Sequence, residues 1–354
     1  MLYLISGLNY HKASLTCDTK FCEVLLLKDS IGRTINYLRI SVTDLCNFRC
    51  VYCMPAEGVT PRHHSEMMRF EEIVEVVRVA AENGISKIRL TGGEPLVRHG
   101  IVDLVRMIRQ VSGINEITIT TNGYLLGKYA EALKDAGLTR VNVSLDTLKP
   151  DLFKKITRHG DLTTVWHGIE AAEKYGLLPL KINVVMMAGI NDQEIPDFIN
   201  LTRDNAWHVR FIELMPIQNQ VSWGDGFPEP SDCYISTGTV LARHQDMNLQ
   251  PIYQPEQLGP AKLYQMPEAK GFVGFISPLD DDHFCSRCNR LRLTADGNLR
   301  PCLMSDFEVP LLAAMRAGED VSELMAKVIK LKPERHELLL NHSPENRNMM
   351  QIGG

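Results

Sequence analysis

The chain of 354 residues is 44% hydrophobic and 23% charged and carries a net charge of −5. This is the mixture of a soluble globular protein with apolar material enough for a sizeable core, which needs no disulfide framework to fold. The acidic balance argues against a protein built to coat nucleic acid, and no apolar run approaches the ~20 residues of a bilayer span.

Residues 1–26 begin with an apolar patch from Leu2 to Leu8, with no basic segment before it and no clear cleavage site after it. They are expected to be a disordered extension. From residue 37, β-branched runs alternate with helical periods. Strands are expected at 37–42, 86–91, 115–120, 140–145, 180–186 and 208–214. Amphipathic stretches lie between them at 70–82, 101–111, 125–136, 163–175 and 193–205. Phe70, Ile73, Val74, Val77 and Ala81 repeat at helical spacing and mark one buried face. Gly84, Gly113, Gly137 and Gly176 stand where helices should stop.

Strand–helix alternation implies a parallel sheet with right-handed crossovers. Six strands are too few for the closed eight-stranded barrel. The expected fold is α/β: an open, partial (β/α)6 barrel of the triosephosphate-isomerase type over residues 27–260, with a flat doubly wound sheet as the competitor. Periodicity fades after about residue 216, where Gln, Pro, Gly and Asp dominate apart from one helix near 236–244. Residues 261–354 are expected to form an α+β segment that carries the later cysteines.

Six of the nine cysteines fall into two tight groups. An odd total grouped this way reads as metal or cluster ligation rather than disulfides, which points to a reducing compartment and a cytoplasmic protein. The first group, TDLCNFRCVYCM, places Cys46, Cys50 and Cys53 at C-x3-C-x2-C spacing directly after the first strand. Three thiolates can each hold one iron of a four-iron cluster, which leaves the fourth iron open as a reaction site. A structural zinc site completed by His63 or His64 is the competing reading. With Tyr52 before its last cysteine, the group resembles the signature of the radical S-adenosylmethionine (SAM) superfamily. There the open iron chelates SAM, and cleavage of the sulfonium releases a 5′-deoxyadenosyl radical. Thr91-Gly92-Gly93-Glu94-Pro95, one βα unit later, resembles the segment that binds the methionine end of SAM, where glycines let backbone approach closely.

The second group, CSRCNRLRLTADGNLRPC, places Cys285, Cys288 and Cys302 at C-x2-C-x13-C spacing. It reads as a second cluster with an open iron, set to bind substrate, or as a zinc ribbon completed by His283. Arg290 and Arg292 alternate along a strand and so face one ligand, and guanidinium forks suit phosphate or carboxylate oxygens.

The two groups in this order, with GRTINYLRISVTDLCNFRCVYCMP, KIRLTGGEPLVR, VNVSLDTL, VRFIELMP and the terminal Gly353-Gly354, resemble the GTP 3′,8-cyclase family over residues 27–354. That family makes (8S)-3′,8-cyclo-7,8-dihydroguanosine 5′-triphosphate from GTP, the first step of molybdenum cofactor biosynthesis. The resemblance implies two [4Fe–4S] clusters and SAM as cofactors. Arg39, Lys87, Arg89, Thr120, Lys181, Arg210, Arg290, Leu291 and Arg292 match its GTP-binding positions. Tyr52, Gly93, Ser144 and Met215 match its SAM-contacting positions. The implied radical takes the ribose 3′ hydrogen, C3′ attacks C8 of guanine, and an electron and a proton complete the product. The implied partners are an electron donor of the reductase or flavodoxin type and a downstream cyclic pyranopterin monophosphate synthase. Oligomeric state is not legible, a homodimer being one option. The double glycine is expected to reach the active site.

Rival readings are a radical SAM peptide maturase with an auxiliary cluster and a non-enzymatic cluster protein that binds nucleic acid. Three departures from the family stand out. Residues 1–26, with Cys17 and Cys22, have no counterpart; Leu45 replaces a frequent Arg; and Asp280, Asp281 and Asp282 crowd the approach to the second group.

Overall fold

The computed structural model describes residues 28–217, 223–253, 259–338, 344 and 347–353. The expectations for residues 1–26, including Cys17 and Cys22, and for Gly354 lie outside the described residues.

Six strands stand within a residue or two of the expected positions: β1 (Tyr37–Ser41), β2 (Lys87–Thr91), β3 (Glu116–Thr121), β4 (Arg140–Ser144), β5 (Lys181–Met186) and β6 (His208–Glu213). They pair in parallel and in sequence order. Helices α1 (Phe70–Glu82), α2 (Ile101–Arg109), α3 (Leu126–Asp135), α5 (Leu162–Lys174) and α6 (Ile195–Asp204) form the crossovers, and α4 (Pro150–Thr157) is an additional short helix after β4. All four helix-ending glycines adopt positive φ, Gly84 at 88° among them, the conformation that costs least without a Cβ.

The strands alternate strictly. Leu38 and Ile40 of β1, Ile182 and Val184 of β5, and Val209 and Phe211 of β6 are buried against the helices. The intervening Tyr37, Arg39, Lys181, Asn183, His208 and Arg210 turn to the other side, where they line one cavity. Parallel strands covered on both faces by helices read as continuous apolar runs; polar alternation here reports an interior that is a lumen.

The C-terminal segment extends the same sheet at both edges. After α7 (Thr237–Arg243), strands β7 (Gln250–Ile252), β8 (Ala261–Gln265) and β9 (Phe272–Ile276) follow, and β9 pairs in parallel with β6. Strand β10 (Arg290–Leu293) pairs in parallel with β1, and β11 (Leu299–Arg300) turns back along it. Helices α8 (Leu311–Arg316) and α9 (Val321–Lys330) complete the segment. The eleven-stranded order is β11-β10-β1-β2-β3-β4-β5-β6-β9-β8-β7, with β11 and β7 as its two edges. Residues from β1 to β6, β9 and β10 line the same cavity, so the sheet curls into a partial barrel. Among the described residues no helix is long and apolar enough to cross a membrane.

Candidate active site

The lumen holds a cavity of about 370 Å³ lined by all six grouped cysteines. Strand direction sets their places. Cys46, Cys50 and Cys53 follow β1 and so lie at the C-terminal end of the parallel strands. Cys285 and Cys288 precede β10, which runs beside β1 in the register Tyr37↔Arg290, so they lie at the opposite end. Cys302 follows the returning β11 and joins them there. A five-residue strand separates the ends by about 17 Å at ~3.3 Å per residue.

At the first end, the GGEP segment lies directly against the cysteine loop. Gly93 N–H donates to Thr43 O and Glu94 N–H to Leu45 O, both at 2.8 Å. A Cβ on Gly93 would stand 2.4 Å from the Leu45 carbonyl oxygen, and one on Gly92 2.4 Å from that of Thr43. Only glycine permits this approach. Glu94 is fully buried and accepts from Leu96 N–H (3.0 Å), Thr121 Oγ1 (2.8 Å) and Asn122 N–H (2.7 Å). Burial pushes its carboxyl up to about 7 despite those donors. Tyr52 donates its hydroxyl to Asp146 (2.7 Å), which also accepts from Val185 N–H (2.8 Å). The loop is thereby tied to β4 and β5.

The donor set fits an iron–sulfur cluster at each end. Each triad offers three free thiols to the lumen. Backbone N–H groups aim at sulfur, Phe48 at Cys46 (3.3 Å) and Met304 at Cys302 (3.4 Å), the hydrogen bonding that tunes cluster sulfurs. Among the described residues no three His, Cys, Asp or Glu side chains are grouped as for a single metal ion; in a four-iron cluster each sulfur holds a different iron, so no such grouping is required. His63, His64 and His283, the fourth ligands of the zinc readings, are exposed and outside the cavity.

The two ends differ electrostatically. Burial raises the thiols of Cys46 to about 11 and Cys53 to about 12. Burial also opposes ionisation of Cys288, but Arg290 and Lys332 outweigh it and hold that thiol near 6. Lys332 is itself fixed by donating to Arg290 O (2.9 Å) and Pro301 O (2.5 Å). The acidic run is partnered: the buried Asp281 meets Lys262 (3.1 Å) and Arg287, the exposed Asp282 lies 3.8 Å from Arg335, and Asp280 accepts from Gly238 N–H (3.3 Å).

Between the ends runs a ring of cations. Arg39, Lys87, Arg89, Lys181, Arg210, Arg290 and Arg292 all line the cavity, as do Thr120, Tyr52, Gly93, Ser144 and Met215. Burial, then mutual repulsion, lowers Arg39 and Arg210 strongly and brings Lys181 to about 6 and Arg292 to about 9. So many crowded positive charges are relieved by a polyanion. Leu291 differs from the other expected positions: its side chain is buried in the core on the helix side of β10, which leaves only its backbone toward the lumen. Met215 packs on the apolar cluster of Phe284, Met304 and Leu338, against which Cys285 and Cys302 also pack.

Sequence reasoning missed Tyr37, Glu116, Arg140, Asn183, His208 and Lys332, which also line the cavity. Strand parity points to the first five, since each stands two or four residues from an expected position on its own strand. Burial and the neighbouring Lys181 hold His208 down at about 3, so it is neutral. The phenol oxygen of Tyr37 is buried without a partner, and so are Thr120 Oγ1 and Arg210 Nε. Such atoms are costly to leave unsatisfied and mark places where a bound molecule belongs.

The C-terminal run also enters the barrel. Ile352 is buried, and a Cβ on Gly353 would stand 2.8 Å from Thr91 Cγ2, at the top of β2.

Comparison with known proteins agrees with this architecture. The radical SAM superfamily profile matches residues 40–202, and the molybdenum cofactor synthesis C profile matches residues 207–338. The GTP 3′,8-cyclase of Alkaliphilus oremlandii is 51% identical over 330 residues, which cover 93% of this chain and 100% of that protein. The chain belongs to the GTP 3′,8-cyclase family. The family's member in Moorella thermoacetica is 49% identical over 331 residues, again 93% of this chain and 100% of that protein. The fold extends further: SuiB of Streptococcus suis, solved with S-adenosylmethionine bound, superposes with a TM-score of 0.55 at 15% identity, over 82% of this chain and 65% of that one.

Proposed function

We propose that this chain is a radical SAM GTP 3′,8-cyclase that holds GTP in the barrel lumen between two [4Fe–4S] clusters. One observation carries the reading: two cysteine triads at opposite ends of a single cavity, with a crowded cation ring between them. The first cluster with SAM supplies the 5′-deoxyadenosyl radical, and the second supplies an anchor for the guanine.

The remaining work belongs to the side chains. Cys46, Cys50 and Cys53 hold the first cluster, and Cys285, Cys288 and Cys302 the second. Tyr52, Gly93, Ser144 and Met215 receive SAM. Arg39, Lys87, Arg89, Lys181 and Arg210 neutralise the triphosphate, Thr120 donates to it, and Arg290 and Arg292 fix the nucleotide near the second cluster. Holding the ribose between the two ends keeps its 3′ hydrogen in line with the radical, since a misplacement of ~1 Å wastes about 100-fold in rate. The enclosing barrel keeps water and stray hydrogen donors away from the ribose. Gly353 brings the C-terminal run against Arg292 at the edge of this site. An electron donor of the reductase or flavodoxin type completes the redox balance, a cyclic pyranopterin monophosphate synthase takes the product, and both meet this enzyme in the cytoplasm.

Binding of GTP, GDP and guanosine to the cluster-loaded protein tests the reading. Affinity that climbs with each phosphate supports it. Equal affinity for guanosine and GTP would remove the role of the cation ring.

A further inference from the structure

The terminal run reaches the lumen, yet its own backbone supplies little to keep it there. Met349–Gln351 form a single 3-10 turn, closed by Asn348 N–H donating to Gln351 Oε1 (3.0 Å). What precedes it is a charge clamp. Arg347 donates from Nη1 and Nη2 to the two oxygens of Asp296 (3.0 Å each), and from Nε and Nη2 to those of Glu308 (2.8 and 2.7 Å). Its side chain is only 8% exposed. The planar fork is saturated by two carboxylates, a geometry that an ammonium does not reproduce.

Asp296 lies in the turn between β10 and β11, and its second oxygen also stands 3.4 Å from Arg62. Arg62 donates from Nε to Asp44 (2.8 Å), two residues before Cys46. Glu308 likewise has a second cation, the buried Arg300, at 2.7 Å. Both carboxylates therefore keep a counter-charge if Arg347 is lost. Each carboxylate thus keeps one cation in the body of the fold, and the C-terminal run loses this tether.

We infer that Arg347 is a positioning residue: it clamps the C-terminal run to Asp296 and Glu308 so that Ile352 and Gly353 reach Arg292 in the lumen, in register with the loop of the first cysteine. The inference rests on the reading that the terminal glycines serve the GTP site. Arg347 is not among the residues that line the cavity, and its hydrogen bonds go to Asp296 and Glu308, so it acts through the tail.

Hydrogen exchange by mass spectrometry on the cluster-loaded full chain tests it with Arg347→Met and Arg347→Lys. The amides of residues 349–353 are expected to exchange about 10-fold faster or more in R347M and to an intermediate degree in R347K, while those of β10 stay as in the parent. In parallel, 5′-deoxyadenosine release is expected to persist while cyclised nucleotide falls by about 10- to 100-fold, so that SAM cleavage uncouples from cyclisation. R347K keeps the charge and serves if R347M does not fold. Unchanged exchange of the tail in either variant would overturn the clamp. A freed tail with undiminished cyclisation would overturn the positioning role and, with it, the reading that the tail serves GTP.

Discussion

Arg292 and Gly353 meet inside the barrel: Nη1 of the guanidinium lies 2.5 Å from the Gly353 carbonyl oxygen and 3.2 Å from that of Ile352. Arg292 stands beside Arg39 in the sheet register, so the tail is tied to the cation ring itself. Two backbone carbonyls offset part of the positive charge that burial and Arg290 make costly there.

Gly353→Ala is expected to break this contact. Its φ of 68° disfavours a side chain, and the added Cβ would press on Thr91. Left-handed backbone costs an L-residue ~1–2 kcal/mol, so seating of the tail and cyclisation should fall by about 10-fold. Steady-state formation of the cyclised nucleotide checks this, with iron content expected to match the parent.

GTP binding should be linked to proton uptake through Lys181. Burial and the cations Arg210, Arg140 and Arg89 hold its pKa at about 6, so above that pH the free protein carries it neutral. A bound triphosphate raises the pKa, so the bound state holds more protons and affinity falls as pH rises above 6. Calorimetry at pH 8, in buffers of different ionisation enthalpy, should report up to one proton taken up. Lys181→Met should abolish it; uptake that survives would assign the proton to His208 instead.

Tyr37→Phe removes a buried hydroxyl that has no partner in the protein. Loss of such a group leaves Tm unchanged or slightly raised. If substrate satisfies that oxygen, KM for GTP rises by about 10-fold, equivalent to ~1.4 kcal/mol. A lowered Tm with unaltered KM would make Tyr37 a packing residue only.

The cysteine variants should separate the two ends. Reconstituted parent protein should bind about eight irons, and Cys50→Ser or Cys288→Ser about four. Cys50→Ser should stop SAM cleavage. Cys288→Ser should still release 5′-deoxyadenosine but form no cyclised nucleotide. Iron analysis and chromatography of the products check both.

Much of this was legible before the structure, because parallel strands with a polar lumen write their period into the sequence. Lys181, Asn183 and Val185 alternate with Ile182, Val184 and Met186, and that parity separates lumen from core. Spacing alone was enough to group the cysteines. The closing strands were not legible: β9 and β10 pair with β6 and β1, partners remote in sequence for β10 and hidden behind irregular loops for β9. Helix α4 was missed because eight residues carry too few turns for a period to register. Lys332 had no local signal at all, since only the packing of α9 beside β11 brings it under Cys288. Leu291 shows the limit of a residue-by-residue resemblance: it sits between two lumen arginines, and strand parity sends its side chain the other way.

The most direct measurement is anaerobic incubation of the reduced, cluster-loaded protein with SAM and GTP, with quantification of both products. The account predicts 5′-deoxyadenosine and (8S)-3′,8-cyclo-7,8-dihydroguanosine 5′-triphosphate in equal amounts. Cleavage of SAM at the same rate with and without GTP, and no cyclised nucleotide, would contradict it.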